Sequence, residues 1–226
     1  MRRECGYGCV ICGLAFVQYE HFDPPFKEAQ KHRPEGIALL CGACHDKKTY
    51  GIWSPEKVVA ARKNPITFRN GFARDAFDLT APFCLWLGSS TVENISTIVK
   101  TWEGERWFSI EPPEAPEGPV RVSATFFDQV GKPSLTIDVN EWKVFSHYWD
   151  TEVEGPKITV RNAPGEIVLE LVATPPHGLK LTHLKMLRAD LGILIEPTGR
   201  VIIKRAGGET ILDGCSVDDS DAVFIV

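Results

Sequence analysis

Short runs of apolar residues, many of them alternating with polar ones, fill the chain beyond about residue 82. Val120–Phe127 and Lys157–Arg161 alternate along their length, and Glu166–Val172 is almost continuously apolar. A period of two is the repeat of a strand with one buried face, and Pro/Gly turns such as Ala163-Pro164-Gly165 separate the runs. The pattern predicts a β-rich body, and it leaves a sandwich, a barrel and a solenoid equally open.

The first 74 residues follow a different pattern. Leu14–Tyr19 and Ile37–Leu40 are short apolar runs of the strand type, separated by a loop that begins with two prolines. A helix is predicted to begin near Cys44, after the second run. Together with the β-rich body, these elements predict an α+β protein.

A second helix is predicted after residue 54, where Ser-Pro is a favourable helix start, and it is expected to stop at the Asn-Pro pair at residue 64. Phenylalanines among basic and polar residues then connect this segment to the β-rich part. The sequence therefore predicts two domains, residues 1–74 and residues 75–226.

Seven cysteines raise the question of disulfides or metal. The count is odd, no export signal precedes them, and four fall in Cys-x-x-Cys pairs, so thiolates on a metal are favoured over a disulfide framework. The pairs are spaced Cys-x2-Cys-x28-Cys-x2-Cys, which supplies the four soft ligands of a tetrahedral structural zinc. The four predicted ligands are Cys9, Cys12, Cys41 and Cys44. Cys5 is a spare or a substitute ligand, and Cys84 and Cys215 are predicted to be core residues.

Charge is unevenly distributed along the chain. The 226 residues carry a net charge of −5, yet residues 1–74 hold 12 lysines and arginines against seven acidic residues. A basic first part on an acidic body is expected if only the first part meets a polyanion. No apolar run reaches the length that crosses a membrane, and the first residues lack the apolar core of a signal peptide, so a cytoplasmic protein with no membrane partner is predicted.

An acid–histidine pair and a further histidine lie close to the cysteines. Glu20 and His21 end the first predicted strand, so their side chains point to opposite faces, and His45 directly follows Cys44. One carboxylate and one imidazole with open positions suit Mg2+ or Mn2+, and the imidazole also suits Ni2+ or a second Zn2+. His21 is then free to take a proton from an attacking water. Lys47 and Lys48, in the same helical turn, are predicted nucleic-acid contacts.

Taken together, Cys-x-x-Cys, the acid–His pair and Leu-Leu-Cys-x-x-Cys-His-x-x-Lys resemble the HNH endonuclease family. The resemblance covers about residues 5–64 and implies a ββα-metal unit. It implies that His21 is the general base, that Glu20 and His45 hold the catalytic metal, and that the four cysteines bind a structural zinc. The chain departs from the family in having Glu at position 20, where Asp or His is usual, and Gly36 where an Asn is usual. His32, in the same loop, is a candidate substitute or additional ligand.

These observations predict a metal-dependent endonuclease that acts on DNA, and RNA stays open as a substrate. By analogy with other proteins that contain HNH units, phage defence or restriction is the expected biological setting. The β-rich domain is predicted to serve targeting, regulation or oligomerisation, through a second copy or a regulatory protein. Two alternatives stay open. One is a non-catalytic zinc-ribbon module that binds nucleic acid, and the other is an assembly protein whose β domain makes the functional contacts.

Overall fold

The computed structural model describes residues 1–100, 106–218 and 224–225. Strands hold 47% of the described residues and helices 13%. The predicted α+β class is therefore wrong, and the chain is mainly β.

Three α-helices lie in the described residues, all of them short: α1 Gly42–Thr49, α2 Pro55–Lys63 and α3 Ile66–Asn70. The predicted limits of the second helix are confirmed by Ser54 at its N-cap and Asn64 at its C-cap. Helices α1 and α2 each bury one side chain, Cys44 and Val58 respectively. A helix that buries one residue does not form a helical layer, and no ββα unit is evident in the described residues, so the predicted ββα-metal unit is wrong. No helix in the described ranges is both long enough and apolar enough to cross a membrane.

Nineteen strands lie in the described residues, and they are listed here in chain order: β1 Gln18–His21, β2 Ile37–Leu40, β3 Phe72–Ala76, β4 Cys84–Leu87, β5 Ser90–Glu93, β6 Thr97–Lys100, β7 Arg106–Glu111, β8 Arg121–Phe127, β9 Pro133–Asp138, β10 Glu141–Phe145, β11 Asp150–Glu154, β12 Lys157–Ala163, β13 Glu166–Thr174, β14 Gly178–Arg188, β15 Leu191–Ile195, β16 Val201–Arg205, β17 Gly208–Leu212, β18 Ser216–Asp218 and β19 Phe224–Ile225. Two 3-10 turns, Arg3–Cys5 and Pro34–Gly36, complete the regular structure.

The strands form three sheets. Strands β1 and β2 make an antiparallel pair in which Tyr19 lies opposite Leu39, Glu20 opposite Ala38 and His21 opposite Ile37. The second sheet has the order β19-β6-β7-β8-β9-β10-β3, and the third runs from β11 to β17 in sequence order. Strand β4 pairs with β14 in parallel, and β5 pairs with β18 in the same way. Most strands of the third sheet pair with the next strand in the sequence. Its strands could therefore be predicted from the local alternation of apolar and polar residues.

Two compact units make up the chain. The first comprises Met1–Asp75 and Lys143–Val153, and the second comprises Ala76–Trp142 and Glu154–Val226. No sequence signal marks Lys143–Val153 as part of the first unit. The segment is held there by Arg2, which pairs with Asp150 at 2.8 Å and with Glu152.

Each unit has its own core. The first packs buried cysteines with Val10, Leu39, Leu40 and Val58. In the second, apolar side chains from both large sheets, among them Phe108, Leu181 and Ile195, line one internal space. Face-to-face packing of this kind is a sandwich arrangement, which the sequence had left open with the barrel and the solenoid.

Candidate metal centre and acid–histidine cluster

Two tight turns bring the four cysteines together. The first turn is closed by a hydrogen bond of 2.8 Å from the Gly13 amide to the Cys9 carbonyl, and Gly13 has a φ of +83°, which favours glycine. The second cysteine pair begins at the N-cap of α1, where the His45 amide donates to the Cys41 carbonyl at 2.9 Å. The Val10 amide, inside the first turn, donates to the Leu39 carbonyl at 3.0 Å. These backbone bonds place the two cysteine pairs against each other.

The sulfur atoms of Cys9, Cys12, Cys41 and Cys44 all lie within 4.8 Å of one another. Sulfurs on a tetrahedral zinc, each about 2.3 Å from the ion, are about 3.8 Å apart, and the Cys12 and Cys41 sulfurs are separated by 3.5 Å. The cluster therefore fits a metal ion such as zinc. It is the one group of metal-ligating side chains of this kind in the described residues.

The remaining cysteines lie outside this cluster. Cys5 is buried, and its sulfur contacts the Met1 sulfur at 3.8 Å. Cys84 is buried as predicted, whereas Cys215 is exposed, so its predicted place in the core is wrong.

Charge in the metal-free cluster is concentrated on one thiol. A hydrogen bond from Cys12 lowers the pKa of Cys9 to about 5, and backbone amides add to the effect against the opposing influence of burial. Burial raises the pKa of Cys44 to about 12. A metal ion binds thiolates, so loading the cluster displaces protons that Cys44 otherwise holds. Acidification therefore weakens metal binding.

Glu20 is the buried acid next to this cluster. Only 4% of the residue is exposed, and a buried carboxylate needs partners for both of its oxygens. His45 Nε2 lies 3.1 Å from Glu20 Oε2, and the Lys48 ammonium contacts Oε1. His45 and Lys48 are three residues apart on α1, which puts both on the helix face that meets β1. The sequence placed Lys48 on nucleic acid and missed this ion pair.

The 3.1 Å separation of His45 Nε2 and Glu20 Oε2 is that of a hydrogen-bonded pair. Lys47 lies elsewhere: its ammonium is 5.0 Å from the centre of the Trp53 ring.

Successive side chains of a strand point to opposite faces, so His21 points away from the face that carries Glu20. Glu20 is buried, whereas Tyr19, which shares its face with His21, is exposed. His21 Nε2 lies 2.9 Å from His32 Nδ1, a hydrogen-bonding distance. Phe26 approaches edge-on, with ring centres 5.3 Å apart. The sequence named His32 as a substitute in this loop, and the structure brings it to His21.

Gly36 closes the loop that follows His21 with its backbone. The Phe22 amide donates to the Gly36 carbonyl at 3.0 Å, and the Asp23 amide reaches the same oxygen at 3.4 Å. A Cβ on residue 36 would lie 1.8 Å from the Asp23 carbonyl oxygen. The close approach of the two backbones therefore leaves no space for the Asn that the resemblance places at this position.

Gly36→Ala is expected to lower the free energy of unfolding by about 1–3 kcal/mol or more, because the Asp23 backbone must move to admit the new methyl group. Urea denaturation followed by circular dichroism measures the change. Gly42→Ala is the matched control, since nothing lies within 4 Å of its Cβ position at the start of α1. If the two variants unfold at the same urea concentration, this account of Gly36 is wrong.

Comparisons with known proteins add no family assignment: no family model, curated protein or solved structure matches the chain. The resemblance to HNH endonucleases therefore rests on the motif residues alone.

Proposed function

We propose that the chain is a metal-dependent endonuclease of the HNH type that hydrolyses phosphodiester bonds in DNA. The observation that carries the proposal is the buried Glu20 carboxylate 3.1 Å from His45 Nε2, on a strand whose next residue is His21. An acid, an imidazole and a neighbouring histidine on the other face of the strand are the groups that metal-assisted hydrolysis requires.

In this proposal the four cysteines hold a structural zinc that keeps α1 against β1. Cys44 is a zinc ligand and His45 is the next residue, so the ion fixes the position of the imidazole. A closed four-cysteine site has no open coordination position, and its role is structural. Catalysis belongs to the Glu20–His45 pair.

Glu20 and His45 would hold the catalytic ion, Mg2+ or Mn2+, with Ni2+ also suited to the imidazole. When bound, such an ion stabilises the negative charge that develops on the phosphate and on the leaving oxygen. Lys48 already neutralises one oxygen of Glu20. A phosphate held beside that carboxylate lies within reach of the Lys48 ammonium, and Lys47 supplies a second cation on the same helix.

His21 acts as the general base. With its proton on Nε2, His21 donates a hydrogen bond to His32 Nδ1, which lies 2.9 Å away, and its own Nδ1 is left to accept a proton. The water that loses this proton forms the new O–P bond, and the P–O bond to the leaving sugar breaks. His32 thereby holds the base in one orientation.

The second unit is proposed to direct this activity through targeting, regulation or oligomerisation, in a setting such as phage defence or restriction. Its acidic composition, 20 aspartates and glutamates against 12 lysines and arginines in residues 76–142 and 154–226, argues against a broad contact with DNA. The DNA contacts therefore belong to the basic first 74 residues.

Glu20→Gln tests the proposal. The change removes the charge that attracts the catalytic ion, and we expect plasmid nicking in Mg2+ to fall at least a hundredfold while the zinc content stays at one per chain. Glu28→Gln is the matched control, because Glu28 is an exposed acid of the neighbouring loop. If Glu20→Gln nicks DNA at the wild-type rate, the site is not the catalytic one. If neither protein cuts but both bind DNA, a non-catalytic zinc-ribbon module is the better description.

A further inference from the structure

Phe26 is an exposed aromatic residue that is nevertheless held in place. It is 68% exposed, yet its ring lies 19° from parallel to the His32 ring, with ring centres 6.3 Å apart, and edge-on to His21. A turn fixes its backbone, with the Ala29 amide donating to the Phe26 carbonyl at 3.3 Å. The ring is therefore accessible from solvent while its contacts with the two histidines orient it.

Three basic residues lie close to Phe26 in the sequence. Lys27, Lys31 and Arg33 all lie in the same loop and are exposed. Within the part of the chain that the structure describes, none of the three forms an ion pair. Proteins that bind single-stranded nucleic acid combine aromatic rings, on which bases stack, with cations that contact the phosphates. Phe26 and its basic neighbours provide both kinds of group.

Other exposed rings of the first unit, among them Tyr50 and Phe68, also have basic neighbours in the sequence, but in the described residues neither of them contacts the His21 ring. The face of Trp53 is covered by the Lys57 ammonium, 3.8 Å from the ring centre. Phe16 is 61% exposed but lies between Ala15 and Val17, without a basic neighbour. Phe26 is the exposed ring that also contacts the proposed general base.

We infer that Phe26 is a stacking platform for one unpaired nucleobase beside the bond that is cut, so that single-stranded or gapped DNA is the preferred substrate. This inference rests on the proposed function. Both faces of a base inside a duplex are already stacked, and exposing one has an energetic cost. The Phe26 and His21 ring centres are 5.3 Å apart, so a base stacked on Phe26 lies beside the proposed general base.

The test compares Phe26→Ala, Phe26→Trp and Phe16→Ala in the full-length, zinc-loaded protein. Fluorescence anisotropy in buffer without added divalent metal measures the Kd for a labelled 15-nucleotide oligothymidylate and for a continuous duplex of equal length. Without the catalytic ion no cleavage is expected, so binding is measured independently of catalysis, and without a chelator the structural zinc stays bound. Zinc content and thermal melting establish that each variant is folded.

We expect wild-type protein to favour the single strand. Phe26→Ala is expected to weaken single-strand binding about ten- to hundredfold and duplex binding less than twofold. Phe26→Trp is expected to retain the preference, and Phe16→Ala to behave as wild type. Unchanged single-strand binding in Phe26→Ala, or an equal loss on both substrates, overturns the inference.

The outcome is separable from that of the proposed function. Wild-type cleavage in Mg2+ without any preference for single-stranded or gapped DNA overturns the stacking platform and leaves the endonuclease in place. A Phe26-dependent preference without added metal, together with no cleavage of any substrate in any metal, supports the platform and overturns the endonuclease.

Discussion

Cys41→Ser is expected to release the bound zinc and to unfold the first unit. Zinc content should fall from one ion per chain to nearly none. Structural zinc contributes about 10–16 kcal/mol of apparent binding free energy in small zinc-binding domains. A whole domain is stable by only about 5–15 kcal/mol, so the loss of a ligand removes a decisive share.

The composition of the core explains the size of the effect. The cluster of buried side chains in the first unit includes Cys9, Cys41 and Cys44 themselves, together with five aliphatic residues: Val10, Ala38, Leu39, Leu40 and Val58. Backbone bonds such as that from the Val10 amide to the Leu39 carbonyl, 3.0 Å, already join the two turns. An ion on the four sulfurs would add four further bonds between the first turn and α1, so its loss would remove a large part of what holds them together.

Zinc release to a chromogenic chelator and thermal melting by circular dichroism measure this prediction together. Cys215→Ser is the control, because Cys215 is an exposed cysteine of the second unit, and it should keep both zinc and the wild-type melting curve. A Cys41→Ser protein that retains one zinc, or that melts as wild type without zinc, contradicts the structural role of the cluster.

The second large effect is expected at the general base. His21→Ala should reduce the single-turnover rate of DNA cleavage about 10²- to 10⁴-fold, which is the usual contribution of a positioned base. His21 is partly exposed on the face of β1 opposite the buried Glu20, so its removal leaves the Glu20–His45 pair and the cysteine cluster in place. DNA affinity without added divalent metal should stay within about twofold of wild type.

Single-turnover cleavage of a labelled DNA measures the rate, and His177→Ala, an exposed histidine of the second unit, is the control. His32→Ala should give an intermediate loss, because His32 positions His21 through one hydrogen bond of 2.9 Å. If His21→Ala cuts as fast as wild type while His32→Ala does not, the two roles are assigned the wrong way round.

Much of the structure could be predicted from local sequence patterns. The strand at Ile37–Leu40, the limits of α2 and the hairpins of the third sheet were readable because each depends on neighbouring residues. The approach of the four cysteines was also readable, since the short spacing within each pair already turns two sulfurs to one side. The fold class could not be predicted from local patterns, because it depends on the proportions of helix and strand over the whole chain.

Long-range contacts escaped prediction. The parallel pairing of β4 with β14 and the place of Lys143–Val153 in the first unit join segments far apart in the sequence. The Lys48–Glu20 ion pair and the close approach of Gly36 to Asp23 also join residues that are distant in the sequence. From the sequence, Gly36 is a departure from the family's Asn. In the structure, a side chain at this position would clash with the Asp23 backbone.

Cleavage by zinc-loaded wild-type protein, freed of other metals, tests the central claim most directly. Supercoiled plasmid and single-stranded circular DNA are incubated with the protein in buffer without added divalent metal and then with added Mg2+, Mn2+ or Ni2+. The account predicts no cleavage without an added ion and cleavage that rises with the added ion while zinc stays at one per chain. Equal cleavage without an added ion, or no cleavage of either DNA with any of the three ions, would contradict it.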